Sequence, residues 1–179
     1  MKEANTKSVK MTFKALYSYV LNTNYRSYAG VIGLVISFGA LALLIANWNN
    51  FGTGQRAMLI IIGLVFTVIN PLSLAFKTYQ QLKLSPSHKI PLDYTFSSEG
   101  INVTQGDISQ LIEWSMVCRI MLTKHMVAVY TSRIHAFVIP LSELGEDKGR
   151  ILTAMVSFTA NYEPRLSKSL KVYTSGKGL

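Results

Sequence analysis

Acidic residues are scarce in this chain of 179, with nine Asp and Glu against eighteen Lys and Arg and a formal charge of +9. Cysteine is scarcer still: Cys118 stands alone, which excludes a disulfide scaffold and any metal centre built on paired thiolates. Charged residues make up only 15% of the chain and apolar ones 49%, the reverse of a disordered composition. His88, His125 and His135 are scattered without ligand spacing. Glycine-rich phosphate loops are also missing, because Gly30 and Gly33 lie in an apolar run and Gly145 and Gly149 lack the Lys-Ser/Thr that completes such a loop. Cys118 sits in the apolar stretch SMVCRIML and reads as a buried core residue rather than the nucleophile of a Cys-His pair. With neither paired carboxylates nor an activated nucleophile, the expectation is no catalytic residue, no cofactor, no metal and no enzyme.

What the chain does hold is apolar residues in runs. Ala29 to Trp48 reads AGVIGLVISFGALALLIANW and Ala57 to Phe76 reads AMLIIIGLVFTVINPLSLAF, both without a charge. Each is twenty residues long, which at 1.5 Å per residue spans about 30 Å, the thickness of a hydrocarbon core. The loop between them, NNFGTGQR, suits an aqueous turn. Lys7, Lys10, Lys14 and Arg26 precede the first run, Lys77, Lys83 and Lys89 follow the second, and Arg56 alone lies between. Basic residues are retained in the cytoplasm, so both termini are expected there, with a two-span hairpin across the membrane. Trp48 and Phe51 on one side and Tyr25, Tyr28 and Tyr79 on the other suit interfacial anchors. The small-x-small Ala40-Leu41-Ala42 of a cleavable leader is the competing reading, disfavoured because the apolar run continues past it.

Ala29, Gly33 and Ser37 recur at four-residue intervals, as do Gly63 and Thr67. Such small-residue ladders let helix backbones approach closely in lipid, either within the hairpin, the reading favoured here, or between two copies of the chain. Asn70-Pro71 reads as a helix kink, with Asn70 bonding locally to the carbonyls that proline frees.

Outside the spans the pattern changes. Ser8 to Phe13 reads as a short strand, and Lys14 to Arg26 as an amphipathic helix that lies on the inner leaflet or packs on the soluble domain. Ser85-Pro86-Ser87-His88 marks a linker. From Leu92 the period is two: Leu92, Tyr94 and Phe96 alternate with polar residues, Ser98-Glu99-Gly100 interrupts, and Ile101 and Val103 resume until Gln105-Gly106-Asp107. Further strands are expected at 108–114, 116–122, 126–131 and 135–139. After Pro140 the spacing turns helical, with Ile151, Met155, Phe158 and Tyr162 on one stripe and Pro164 as its stop. The tail from Arg165 is basic and reads as solvated. The expected organisation is an N-terminal segment 1–28, a hairpin 29–76, a linker 77–91, a β-rich domain 92–163 and a basic tail 164–179. The fold class is an α+β membrane protein, a transmembrane hairpin followed by an antiparallel sheet or open barrel with a C-terminal helix.

The sequence LDYTFSSEGINV (with Tyr94, Phe96, Glu99, Gly100 and Ile101), Trp114, and Ile139-Pro140 before the terminal helix resemble the YcxB-like family of bacterial membrane proteins. The resemblance implies a pleckstrin-homology-like C-terminal domain at the cytoplasmic membrane and no catalytic residues. Tyr94, Phe96 and Trp114 are then domain core or docking residues. The expected function is non-enzymatic display of that domain to a membrane or cytoplasmic protein partner or to lipid. An immunity protein against a membrane-active toxin is the alternative. The basic excess flanks the spans and is read as topology, so nucleic acid is not an expected partner.

Overall fold

The structure, a computed structural model, describes residues 5–85, 90–133 and 135–175. Pro86, Ser87 and His88 of the expected linker lie outside the described residues. Two compact units are present: Val20–Gln81 forms one, and the chain up to Tyr19 together with everything from Leu82 onward forms the other.

In the first unit, helix α1 (Phe13–Arg26) ends at Ser27, whose hydroxyl accepts from Gly30 N at 3.1 Å and caps α2 (Tyr28–Ala46). A short turn at Trp48–Asn50 leads to α3 (Thr53–Leu64), a π-helical turn at Val65–Ile69, and α4 (Asn70–Leu84). Tyr28–Ala46 and the continuous Thr53–Leu84 are long and apolar enough to cross a membrane. The second runs eight residues past Phe76, into the expected linker. KTYQQLKL contains no Gly or Pro, and the first helix breaker in the sequence is Pro86.

The buried face of α2 is Gly30, Gly33, Ser37, Ala40 and Leu44. Ala29 is exposed, so the small-residue face starts one residue later than the four-residue ladder proposes. An α-helix turns about 100° per residue, so a strict four-residue series drifts about 40° per step and alternating three and four stays on one line. Gly33 lies against the Phe66 ring and Gly63 against the Leu41 side chain, and a Cβ on either glycine would collide. These two glycines therefore set the close approach of α2 and α3.

The π-helical turn has an identifiable cause. In a regular helix Phe66 N–H would bond the Ile62 carbonyl; instead the Ser37 hydroxyl inserts between them, donating to Ile62 O at 2.9 Å and accepting from Phe66 N at 3.4 Å. Asn70 N then bonds Val65 O, and the released Phe66 carbonyl accepts from the Tyr25 hydroxyl at 2.6 Å. The irregularity also contains Thr67, four residues before Pro71, whose carbonyl the proline ring crowds. Asn70 does not turn to local carbonyls as expected: its amide donates to Asn24 Oδ1 at 2.9 Å on α1, which lies within reach. Thr67 donates to Gly63 O at 2.6 Å along its own helix. Replacing Ser37 with alanine is expected to let Phe66 N–H rejoin Ile62 O, at a cost of about 1 kcal/mol for the lost interhelical bonds. A downfield-to-helical return of the Ile62 carbonyl shift in labelled protein would report it, and an unchanged π-turn would refute the insertion as its cause.

The second unit holds two four-stranded sheets. Strands β1 (Asn5–Val9), β2 (Leu92–Phe96), β3 (Gly100–Gln105) and β4 (Ile108–Glu113) form an antiparallel sheet in that order. The second sheet is ordered β7-β6-β5-β8, from β5 (Arg119–Leu122), β6 (Met126–Tyr130), β7 (Ala136–Pro140) and β8 (Arg165–Leu166), with β8 parallel to β5. Gly106 carries φ +59° in the two-residue turn between β3 and β4, the left-handed position that glycine fills without penalty. The helices of this unit are α5 (Leu141–Leu144), α6 (Lys148–Thr159), α7 (Lys168–Thr174) and the start of α1.

The main core joins Tyr94, Phe96, Ile101, Trp114, Ile120 and Val129 to Ile151, Leu152 and Met155 of α6 and Leu170 of α7. Tyr162, expected on the same stripe, is 53% exposed because a 3₁₀ turn at Ala160–Tyr162 rotates it away. A smaller cluster lies on the other face of the second sheet, where Ala15 covers Met121, Met126, Ala128, Tyr130 and Val138. β6, buried along its whole length, reads MVAVY because both its faces are covered.

Three expectations are corrected here. The N-terminal strand is Asn5–Val9 rather than 8–13, and it pairs with β2, so the N-terminal segment belongs to the β unit. The described part of the tail is tied down although its basic side chains stay exposed: β8 pairs with β5, Ser167 accepts from Leu122 N at 3.0 Å, and Leu170 is fully buried, while Arg165, Lys168 and Lys171 face outward. Cys118 is exposed, because a 3₁₀ turn at Trp114–Met116 resets the alternation so that Val117 points inward and Cys118 outward.

Burial pushes the Tyr94 hydroxyl up to about 12 from 10.0. The folded state therefore holds this proton more tightly than the unfolded chain. That contribution is complete below pH 10 and is lost as pH rises through about 12. Tyr94→Phe is expected to flatten the fall in unfolding midpoint between those values, measured against the parent in parallel.

Candidate functional site: a lysine-lined cleft

The β5–β6 turn is a tight one. Thr123 N donates to Met126 O at 2.9 Å, and the Thr123 hydroxyl accepts from His125 N and Met126 N at 3.4 and 3.2 Å. That closure leaves Lys124 and His125 exposed. Two links fix the surroundings: Leu141 N donates to His125 O at 3.0 Å, and the Ser18 and Thr123 hydroxyls bond at 3.1 Å. The first turn of α1, where Thr12 Oγ1 accepts from Ala15 N at 3.4 Å, is held against the second sheet by buried Ala15 and carries Lys14.

Two adjoining clefts result, of about 700 and 540 Å³. Both are lined by Lys124, Leu141 and Lys148; Lys14 and His125 complete the larger, and Ser169 and Tyr173 of α7 the smaller. These volumes fall in the range of small-ligand sites, about 300–1,000 Å³. Among the described residues no Asp or Glu lines either cleft, though Glu143 follows the lining Ser142 and Asp147 precedes Lys148. Asp147 accepts from Lys7 and from Arg150 at 2.9 Å. The bond to Lys7 is the main reason its carboxyl is held below the usual carboxylate range. Lys148 points to the other side, its ammonium 5.7 Å from the Tyr173 ring centre. The arrangement gathers lysine ammonium groups around recesses that also hold the hydroxyls of Ser142, Ser169 and Tyr173 and the imidazole of His125.

None of the cleft residues is recognisable as a site residue in the sequence, where Lys14 reads as a topogenic charge and Lys124 as part of a polar turn. The residues singled out there lie elsewhere: Gly33, Ser37, Gly63, Thr67, Asn70 and Pro71 in the helical unit, and Tyr94, Phe96 and Trp114 in the β core, with exposures of 2%, 4% and 1%. Trp114 donates from Nε1 to Ser97 O at 2.9 Å and is a core residue, not a docking one. Among the described residues no group of three or more His, Cys, Asp or Glu is gathered as a metal site.

No curated protein and no solved structure matches the chain. A family model described as YcxB-like protein matches residues 96–155, from the last residue of β2 into α6. Phe96, Glu99, Gly100, Ile101, Trp114 and Ile139-Pro140 all fall inside this segment. Over residues 96–155 the chain is similar to the YcxB-like family.

Proposed function

We propose that this protein is a non-enzymatic, membrane-anchored binding module of the bacterial cytoplasmic membrane, with both termini in the cytoplasm. The observation that carries the reading is the outward-facing apolar surface of the helical unit. Only 6% of the most apolar window of Thr53–Leu84 is buried, and Val35, Ile36, Phe38, Ile61, Val68 and Leu72 are exposed. Small residues fill the inside of the hairpin while large apolar ones face out, the arrangement of a helix pair solvated by lipid. Strand pairing supports an even number of crossings: Val9 is opposite Leu92, so residues 10–91 leave and return at one place. The β unit is read as a pleckstrin-homology-type fold. Its support is an antiparallel sheet of four strands, three further antiparallel strands, and an amphipathic helix covering the core they share. Binding is the task of the unit, and the lysine-lined cleft is its contact site.

Cys118, exposed and the sole cysteine, supplies the test. A membrane-impermeant maleimide is expected to leave it unlabelled in intact cells and to label it in inverted vesicles. Asn50→Cys in a Cys118→Ala background is expected to show the opposite. Labelling of Cys118 from outside, or release of the chain from membranes by carbonate, would overturn the reading.

A further inference from the structure

We propose that the cleft between α1, the β5–β6 turn and α6 binds the phosphate group of an anionic ligand. This deepens the binding-module reading and rests on it for the site, though not for the membrane anchor. Three ammonium groups, on Lys14, Lys124 and Lys148, come from segments far apart in sequence and line adjoining recesses that share Lys124 and Lys148. Lys residues repel one another, so a fold that gathers three around a concavity without a carboxylate lining it has created a site whose charge is balanced from outside.

Two helix starts add to the field. Lys14 lies in the first turn of α1, a helix of 14 residues, and Lys148 begins α6, of 12. The macrodipole places partial positive charge at a helix start, although the Ala15 N–H of α1 is already taken by Thr12 Oγ1 and the Lys148 N–H of α6 by Gly145 O. Asp147, next to Lys148, is engaged by Lys7 and Arg150. Ammonium point charges rather than a flat guanidinium fork, with the hydroxyls of Ser142 and Ser169 beside them, match a tetrahedral oxyanion. The phosphate comes from a phospholipid headgroup or from a soluble phosphate compound, and the experiment separates the two.

The full chain is purified in a neutral detergent and followed by hydrogen exchange over residues 122–126 and 146–150. In one arm inorganic phosphate is titrated against chloride at matched ionic strength. In the other, the chain is placed in phosphatidylcholine discs with and without phosphatidylglycerol. Saturable protection by phosphate assigns the site to soluble phosphates; protection only with phosphatidylglycerol assigns it to the headgroup; both uphold the proposal. The Lys14→Gln/Lys124→Gln/Lys148→Gln variant is expected to bind at least about tenfold more weakly, for the loss of charge-assisted bonds, with its unfolding midpoint in chloride preserved. Single Lys→Gln variants give the same readout should the triple one fail to fold. Protection in neither arm, or equal protection in the variants, overturns the proposal. Failure of the membrane reading shows separately, in Cys118 labelling, and leaves the phosphate arm intact.

Discussion

Trp114→Ala is expected to destabilise the β unit by about 3–5 kcal/mol, the range for emptying a large aromatic site in a packed core. The ring is 1% exposed and lies 6.0 Å, centre to centre, from Phe158 of α6. It sits where β4 ends and a 3₁₀ turn redirects the chain toward the second sheet, so it fills the junction of both sheets and the covering helix. Its Nε1 donor to Ser97 O ties that junction to the β2–β3 connection, where Trp114 N also donates to Glu99 O at 3.3 Å. Trp114→Phe separates the two contributions: it keeps most of the packing and removes the indole donor, for a cost of about 1 kcal/mol plus the volume change. For a chain of this size each kcal/mol shifts the midpoint by about 2–4 °C, so the alanine variant is expected to melt roughly 10 °C lower, with protection lost first in β3. A shift of under 2 °C would place the indole outside the core.

Strands β2 and β3 are legible because one face of each turns to the core, which imposes a period of two, and β6 because a short apolar run bounded by turns reads as a strand covered on both faces. The two long apolar helices are legible because their uncharged runs have the length of a spanning helix. What escapes the sequence depends on partners distant along the chain. NTKSV of β1 has no alternation to speak of; it forms a strand because β2 offers it a free edge, and only Val9 is buried. RL of β8 is shorter still. The choice of Gly30 over Ala29 turns on helical phase, which four-residue spacing misjudges. Ser37 reads as one more small residue, and its role in opening the α3 ladder depends on α2 being packed alongside. The cleft is illegible for the same reason: Lys14, Lys124 and Lys148 meet only after α1, the β5–β6 turn and α6 are in place.

A fragment that begins at Ile90 is expected not to fold, although it contains the whole YcxB-like segment. It lacks β1, whose five residues pair with β2, and it lacks the start of α1. Val9 and Leu16 are each buried, at 2% and 6% exposure, and such side chains contribute about 1.5–3 kcal/mol apiece. Without Ala15 and its neighbours, the face formed by Met121, Met126, Ala128, Tyr130 and Val138 also meets water. The combined loss is comparable to the 5–15 kcal/mol that holds an ordinary domain together. Residues 90–179 alone are therefore expected to give a collapsed amide spectrum, and addition of a peptide covering residues 5–19 is expected to restore dispersed signals from β2 and β6. A cooperative, well-dispersed fragment without the peptide would show that the first strand is dispensable. The same geometry constrains synthesis: β1 emerges before the apolar helices and its partner β2 after them, so the first sheet closes only once residues 10–91 have brought Leu92 back to Val9. A chain whose β1 fails to reach β2 leaves β2 with an open edge, a template for aggregation. Carrying β1 on the far side of the hairpin thus couples completion of the β unit to completion of the helical one.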